Sequence, residues 1–136
     1  MILVSVALAT AISMSDPQAA DILSKLDMTT FRNSLRPRAA EGLERPADWG
    51  FAGPTNEAGW AYLTQQVAGR RSWTIGLTII RQEGEAVVAC FSDQARNGGT
   101  YYARSAVRIV SDGEGGYRVD QQGSDEPTCQ PAPGQG

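Results

Sequence analysis

Apolar and polar residues alternate through most of the stretch from Ser72 to Gln121, and turn residues divide it into short segments. Three longer apolar segments, SWTIGLTIIR, EAVVACFSDQ and GTYYARSAVRIV, are followed by a shorter one, YRVDQQ. The breaks between them are EG, RNGG and SDGEGG, whose residues are typical of tight turns. Short β-rich segments separated in this way predict an antiparallel β-meander.

The predicted turns assign a register, because side chains alternate between the two faces of a sheet. With Glu83-Gly84 as the first turn, Leu77 lies opposite Cys90. With Asn97-Gly98 as the second, Cys90 lies opposite Ser105. Both turns favour the same predicted core face. That face holds Trp73, Ile75, Leu77, Ile79, Val88, Cys90, Tyr101, Ala103, Val107, Ile109, Tyr117 and Val119.

The reverse face of the predicted sheet mixes charged, polar and aromatic residues, and Asp93 lies opposite Tyr102 in this register. Arginine forks bind carboxylate, sulfate or phosphate bidentately, and aromatic neighbours add cation–π attraction. The alternative is a solvated face whose cross-strand Asp–Arg pairs each contribute well under ~1 kcal/mol. The candidate ligand-binding residues here are Asp93, Tyr102, Arg104, Arg108 and Arg118, with Asp120 beside them.

Two segments before the meander add elements to the predicted fold. Residues 17–27, PQAADILSKLD, have apolar residues at helical spacing behind Asp16, a candidate N-cap, and predict a short helix that covers part of the sheet. Residues 56–67 fit a helix or a strand. We favour a strand, because AGWAYLT is bounded by turn residues and can pair with WTIGLTII. A hairpin of residues 49–52 and 59–65 gives five or six strands in all.

Four aromatic residues, Trp49, Phe51, Trp60 and Tyr62, flank the GPTN turn. Such a group has the flat surface needed to stack a sugar ring or an apolar ligand. The alternative is that these side chains pack as core at the end of the sheet. We include Trp49 and Trp60 among the candidate ligand-binding residues.

Residues 2–14, ILVSVALATAISM, form an uncharged apolar run. The run is too short to span a bilayer as a helix, which takes about 20 residues. It predicts a signal peptide within residues 1–20, with cleavage after Ala11, Ser15 or Ala20, although no Lys or Arg precedes it. We therefore expect a periplasmic or secreted protein with no integral membrane segment in its mature chain. The alternative is a buried N-terminal helix or strand.

The two cysteines, Cys90 and Cys129, fit neither a CxxC redox pair nor a zinc pattern. In an oxidising compartment they predict one disulfide, worth about 4 kcal/mol in the chain-entropy model. The alternative is two free thiols. The disulfide would tie the Pro/Gly-rich tail, residues 125–136, to a single domain of residues 21–124.

Composition narrows the function. The chain contains no histidine, which removes the commonest general base and imidazole metal ligands. A net charge of −3 argues against nucleic-acid binding by bulk charge, and no motif predicts a metal site or a cofactor.

We therefore predict an α+β fold, in which an N-terminal helix packs on an antiparallel meander of four to six strands stapled by one disulfide. The expected function is a small exported non-enzymatic binding or adaptor protein for an anionic small molecule or an envelope protein. The alternatives are a small cavity-forming enzyme of the curved-sheet roll type using Asp93 and Tyr102, and a purely structural envelope protein.

Overall fold

The computed structural model describes residues 16–31, 42–96 and 102–124, together with Cys129. The predicted leader up to residue 15, the Asn97-Gly98 turn, Tyr101 and the tail apart from Cys129 lie outside the described residues. Within these ranges the chain forms one α-helix, two short 3-10 turns (Met28–Thr30 and Pro46–Trp49) and seven strands. The elements are α1 (Asp16–Ser24), β1 (Leu26–Asp27), β2 (Phe51–Glu57), β3 (Trp60–Val67), β4 (Arg70–Glu83), β5 (Ala86–Ala95), β6 (Tyr102–Ser111) and β7 (Tyr117–Ser124).

All seven strands belong to one curled sheet with the order β1-β7-β6-β5-β4-β3-β2. Five of the six pairings are antiparallel, and β1 pairs with β7 in parallel. The described part of the chain is thus mostly β, a mixed half-barrel with one short helix. The predicted α+β fold, a helix on a meander of four to six strands, is wrong.

The sheet has one strand more than the largest predicted number because β1 lacks a strand pattern, and the predicted strand at residues 49–52 is displaced to β2, Phe51–Glu57. β1 contains only Leu26 and Asp27, which the sequence assigned to the end of the helix. Residues of β2, FAGPTNE, alternate poorly and include Gly53-Pro54, and all of them after Phe51 are exposed. By contrast, residues 60–67 form β3, which confirms the strand interpretation of that segment.

The main core lies on the face of the sheet that α1 covers, which we call the inner face. Ile22 and Leu23 of α1 are at most 1% exposed and pack with strand residues such as Leu77. After α1, the chain runs beside β7 and brings Phe31 onto Phe91, with 4.5 Å between the ring centroids. The inner face therefore has a continuous apolar cover over much of its width.

The register of β5 differs from the prediction by one residue. Leu77 pairs with Phe91 rather than Cys90, because the turn is Gly84-Glu85 and a bulge interrupts β4 between Ile79 and Arg81. A shift of one residue exchanges the faces of the whole strand. The inner-face residues of β5 are Val87, Ala89, Phe91 and Asp93, and its residues on the opposite face are Val88, Cys90, Ser92 and Gln94.

The opposite face, which we call the outer face, carries the disulfide. Cys90 and Cys129 are bonded, with their Cα atoms 5.3 Å apart, and this confirms the predicted disulfide. The bond lies in a small second cluster with Ala106, against which Trp60 and Ile80 pack. Cys90 therefore does not belong to the main core as predicted; it anchors Cys129 to the outer face instead.

Candidate functional site

The outer face is ordered in rows that cross the strands, because residues paired in register stand side by side on one face. One row consists of Tyr62, Gly76, Ser92 and Arg104. The neighbouring row consists of Thr64, Thr74, Gln94 and Tyr102. Thr74 and Ser92 stand in the middle of these rows and are each only 5% exposed, because longer side chains of the flanking strands β3 and β6 cover them.

Tyr62 lies directly on the backbone of Gly76. A Cβ atom at position 76 would stand 2.7 Å from Cε1 and 2.8 Å from Cδ1 of the Tyr62 ring, closer than carbon atoms pack. It would also stand 2.5 Å from Oγ of Ser92. Glycine is thus required at position 76, because any larger residue there would collide with Tyr62 and Ser92. Its bare backbone leaves the space in which the Tyr62 ring lies.

Arg104 reaches back over the aromatic side chains. Its guanidinium carbon lies 4.8 Å from the ring centroid of Trp60 and 5.5 Å from that of Tyr102, within the range of cation–π attraction. Its Nε donates a hydrogen bond to the Tyr102 hydroxyl. The rings of Trp60 and Tyr62 are nearly parallel, 12° apart, with centroids separated by 5.9 Å. We call these four residues the aromatic–arginine platform.

The guanidinium of Arg104 has a free edge. Apart from the bond from Nε to Tyr102, it makes no hydrogen bond or ion pair with any described residue. The two other partly buried arginines in the described ranges are neutralised: Arg45 by Asp112 at 3.0 Å, and Arg108 by Asp120. Arg104 is therefore a positioned cation whose two Nη groups can still donate to a ligand.

Tyr62 supplies a second donor beside this cation. Burial raises the pKa of its hydroxyl above the usual value of 10.0, and the nearby Tyr102 adds to the rise, while Arg104 opposes it. The hydroxyl is therefore protonated at neutral pH and can donate a hydrogen bond. A carboxylate or other acceptor at the platform would meet a fork of N–H groups next to flat aromatic surface.

Arg108 and Arg118 form a different cluster on the outer face, with acidic partners of their own. Arg108 contacts Asp120 and lies 3.9 Å from Glu83, and Arg118 lies 3.7 Å from Asp120. The contact of Arg108 with Asp120 joins β6 to β7 and is an Asp–Arg cross-strand pair of the kind that the sequence offered as its alternative, whereas Arg118 and Asp120 lie on the same strand. The structure thus brings Tyr102, Arg104 and Trp60 together, and separates the other two arginines from them.

Asp93 and Trp49 lie elsewhere. Asp93 pairs with Ile75 and Ala103 on the inner face, while Tyr102 pairs with Gln94, so the predicted opposition of Asp93 and Tyr102 is wrong. The cause is the register shift of β5. Trp49 packs against the main core, and its carbonyl oxygen accepts a 2.7 Å hydrogen bond from Nε2 of Gln65.

Asp93 is an acid in an apolar setting. It is 3% exposed, and Nε1 of Trp73 donates a hydrogen bond to its Oδ1. Burial raises the pKa of Asp93 from 3.8 to about 6, because the charged form loses its hydration, and the Trp73 hydrogen bond offsets only part of this rise. A carboxyl with such a pKa exchanges its proton close to neutral pH.

Sequence reasoning missed the contact of the Tyr62 ring with Gly76. Tyr62 was noted only as an aromatic residue beside the GPTN turn, and the predicted register, with Leu77 opposite Cys90, puts Phe91 rather than Tyr62 next to Gly76. The signal was present in the bare glycine of SWTIGLTIIR, since an interior glycine marks a place where a ring lies on the backbone. Choosing the right ring required the register of both neighbouring strands.

Neither a metal site nor a membrane-spanning helix is found in the part of the chain that the structure describes. There, no three Asp, Glu or Cys side chains stand close enough together to hold a metal ion, and no helix is long and apolar enough to cross a bilayer. Comparisons of the chain with known family models, curated proteins and solved structures found no match. A function can therefore be proposed only from the geometry and chemistry of the sites themselves.

Proposed function

We propose that this protein is a small exported, non-enzymatic binding module that recognises an anionic ligand through its aromatic–arginine platform. One observation carries the proposal. Arg104 is held over Trp60 and bonded to Tyr102, yet it meets no carboxylate among the described residues. A partly buried cation without a counter-charge is costly, and a ligand anion would provide that charge.

The arrangement favours binding because the groups are already in place. The Nε bond to Tyr102 and the ring of Trp60 restrict the rotamers of Arg104, so less side-chain entropy is lost when a ligand binds. A guanidinium presents parallel N–H groups that match a carboxylate. Trp, Tyr and Arg are also the residues that contribute most at protein interfaces, so an acidic segment of an envelope protein fits the same surface.

Export is supported by the Cys90–Cys129 disulfide, a bond that persists in oxidising compartments. The position of α1 limits where the proposed signal peptide can be cleaved. Ala19 and Ala20 lie inside α1, and Ala19 is fully buried in the main core. Processing after Ala20 would therefore remove half of the helix, so we propose cleavage after Ala11 or Ser15.

The proposal is tested by a thermal-shift screen of the protein against small carboxylates, sulfate and phosphate. A ligand at about 100 times its Kd stabilises the folded state by about 2.7 kcal/mol. Replacing Arg104 with Lys keeps the charge but loses the fork, so the shift should shrink. Arg108→Lys is the matched control, since Arg108 lies on the same strand and face but is paired with Asp120. An equal shift in wild type and Arg104→Lys would contradict the proposal.

A second candidate function is acid–base chemistry at Asp93. The observation that favours it is the burial of this carboxyl, since catalytic acids and bases are tuned in the same way. Tyr102 has no part in this version, because it lies on the other face. Suppose that, in the same screen, a ligand stabilises Arg104→Lys as much as wild type but does not stabilise Asp93→Asn. Its binding site would then lie on the inner face at Asp93 and not at the platform.

A further inference from the structure

The platform offers a ligand more than charge, because its aromatic rings supply a flat apolar surface. Trp60 and Tyr62 stand two residues apart on β3 with their rings nearly parallel, and each is partly exposed. The Tyr62 ring is held against Gly76, and the Trp60 ring rests beside the disulfide cluster. A ring-shaped ligand with C–H groups on one face can lie against such a surface.

Hydrogen-bonding groups border this surface. The Tyr62 hydroxyl is protonated at neutral pH, as an ordinary tyrosine is, and burial raises its pKa further, so it can donate a hydrogen bond. Gln94 pairs with Tyr102 across β5 and β6, is partly exposed, and makes no side-chain hydrogen bond with any described residue. Its amide can both donate and accept. These neutral groups suit a ligand that carries several hydroxyl groups around its ring.

The charge of the site limits the ligand to a single negative charge near the rings. Among the described residues of the platform, Arg104 supplies the one guanidinium and has no acidic partner, while Arg96 and Glu57 act on the nearby Tyr62 hydroxyl with opposite signs and so offset each other. A doubly charged phosphate bound there would keep one charge without a partner in a partly desolvated place. A carboxylate carries one charge and matches the two Nη groups of the fork.

Building on the proposed function, we infer that the ligand of the platform is an acidic saccharide, of the kind that contains uronic acid units. The sugar ring lies against the Tyr62 ring and the part of the Trp60 ring that Arg104 leaves uncovered, and its carboxylate accepts hydrogen bonds from the free Nη groups of Arg104. Its hydroxyl groups bond to the Gln94 amide and the Tyr62 hydroxyl. This inference combines the flat surface, the single cation and the neutral polar border in one ligand class.

Isothermal titration with four probes tests the inference: a galacturonic acid trisaccharide, the matched neutral galactose trisaccharide, acetate and inorganic phosphate. We expect the acidic trisaccharide to bind most tightly. Arg104→Gln and Trp60→Leu should each weaken it by about tenfold or more, because one loses the fork and the other the flat ring. Arg108→Gln should bind as wild type does, since it changes a cation on the same strand that Asp120 neutralises.

The outcomes separate this inference from the proposed function. If acetate or phosphate binds as tightly as the acidic trisaccharide and depends on Arg104, the saccharide class is wrong and the anion site stands. If the neutral trisaccharide binds equally well, the role of charge is wrong and both fail. No binding of the acidic trisaccharide overturns the inference alone. Thermal unfolding checks each variant, and Tyr62→Leu replaces Trp60→Leu if the latter does not fold.

Discussion

The two faces of the central sheet carry opposite and unbalanced charges at neighbouring positions. On the inner face, Asp93 is 3% exposed, and its described polar contact is the neutral indole of Trp73. On the outer face, Arg104 lies among aromatic rings and contacts no described carboxylate. Asp93 pairs with Ala103 and Ser92 pairs with Arg104, so Asp93 and Arg104 are close along the adjacent strands β5 and β6. Their side chains nevertheless lie on opposite faces of the sheet.

The two charges respond differently to burial, and the difference suggests different roles. Asp93 can relieve its burial by taking up a proton, which is why its pKa rises to about 6. An arginine cannot lose its proton at any ordinary pH, so Arg104 keeps its charge although it has no acidic partner among the described residues. The inner face therefore holds a proton-exchanging group, and the outer face holds a permanent cation suited to a bound anion.

The inner face is packed far more tightly than the outer face at Phe91 and Arg104. Phe91 is fully buried against Phe31 on the inner face, so Phe91→Ala should lower the free energy of unfolding by about 3 to 5 kcal/mol. Arg104→Ala, on the outer face, should cost far less, because partly exposed polar side chains contribute little. Urea denaturation measures both. Comparable losses would show that Phe91 does not belong to the main core.

The position of Phe91 also shows how far the sequence could lead. The apolar pattern located β3 to β7 and the inner-face residues of β4 and β6, such as Leu77 and Val107, which are buried as expected. It could not orient β5, because all residues from Ala86 to Asp93 are buried and no polar side marks a face. Both predicted turns were compared through the same assignment of β5. Their agreement therefore could not show whether β5 itself had been assigned to the right face.

The candidate site could be predicted only in part, because the orientation of β6 was predicted correctly and that of β5 was not. Tyr102 and Arg104 lie on β6, whose orientation was right, and they share the outer face as expected. Asp93 lies on β5 and was assigned to the wrong face with the rest of that strand. Trp60 and Arg104 come from strands that are not neighbours in the sheet, and their contact depends on side-chain reach that no sequence spacing encodes.

The charge of Asp93 on the inner face should make the stability of the protein depend on pH. The pKa of Asp93 is about 6 in the folded protein and 3.8 for an ordinary aspartate, so between these pH values only the folded chain holds the proton. The free energy of unfolding should therefore fall as pH rises from about 4 to 6, by about 3 kcal/mol from this residue. Asp93→Asn should remove that fall and be more stable than wild type at pH 7.5, with little difference at pH 3.8 or below.

Asp112→Asn is the control of opposite sign. Backbone N–H groups of Glu114 and Gly116, together with Arg45, hold the pKa of the Asp112 carboxyl below 3.8. Its contribution is present above that pH and is lost as pH falls, so this variant should be less stable than wild type at neutral pH. Thermal unfolding across a pH series measures both. A less stable Asp93→Asn protein at pH 7.5 would mean that the Asp93 charge is compensated.

The Tyr62 ring on the outer face needs the bare backbone of Gly76. Gly76→Ala places a Cβ atom 2.7 Å from the Tyr62 ring and 2.5 Å from Oγ of Ser92, so one of them must move. We expect a loss of about 1 to 3 kcal/mol in the free energy of unfolding, the usual cost of overpacking. The double variant Gly76→Ala/Tyr62→Ala should cost less than the sum of the two single changes, because removal of the ring makes room. Additive losses would show that the ring does not rest on Gly76. A displaced Tyr62 ring would also move part of the aromatic surface of the platform away from Arg104. Ligand affinity should therefore fall in Gly76→Ala even where the protein remains folded.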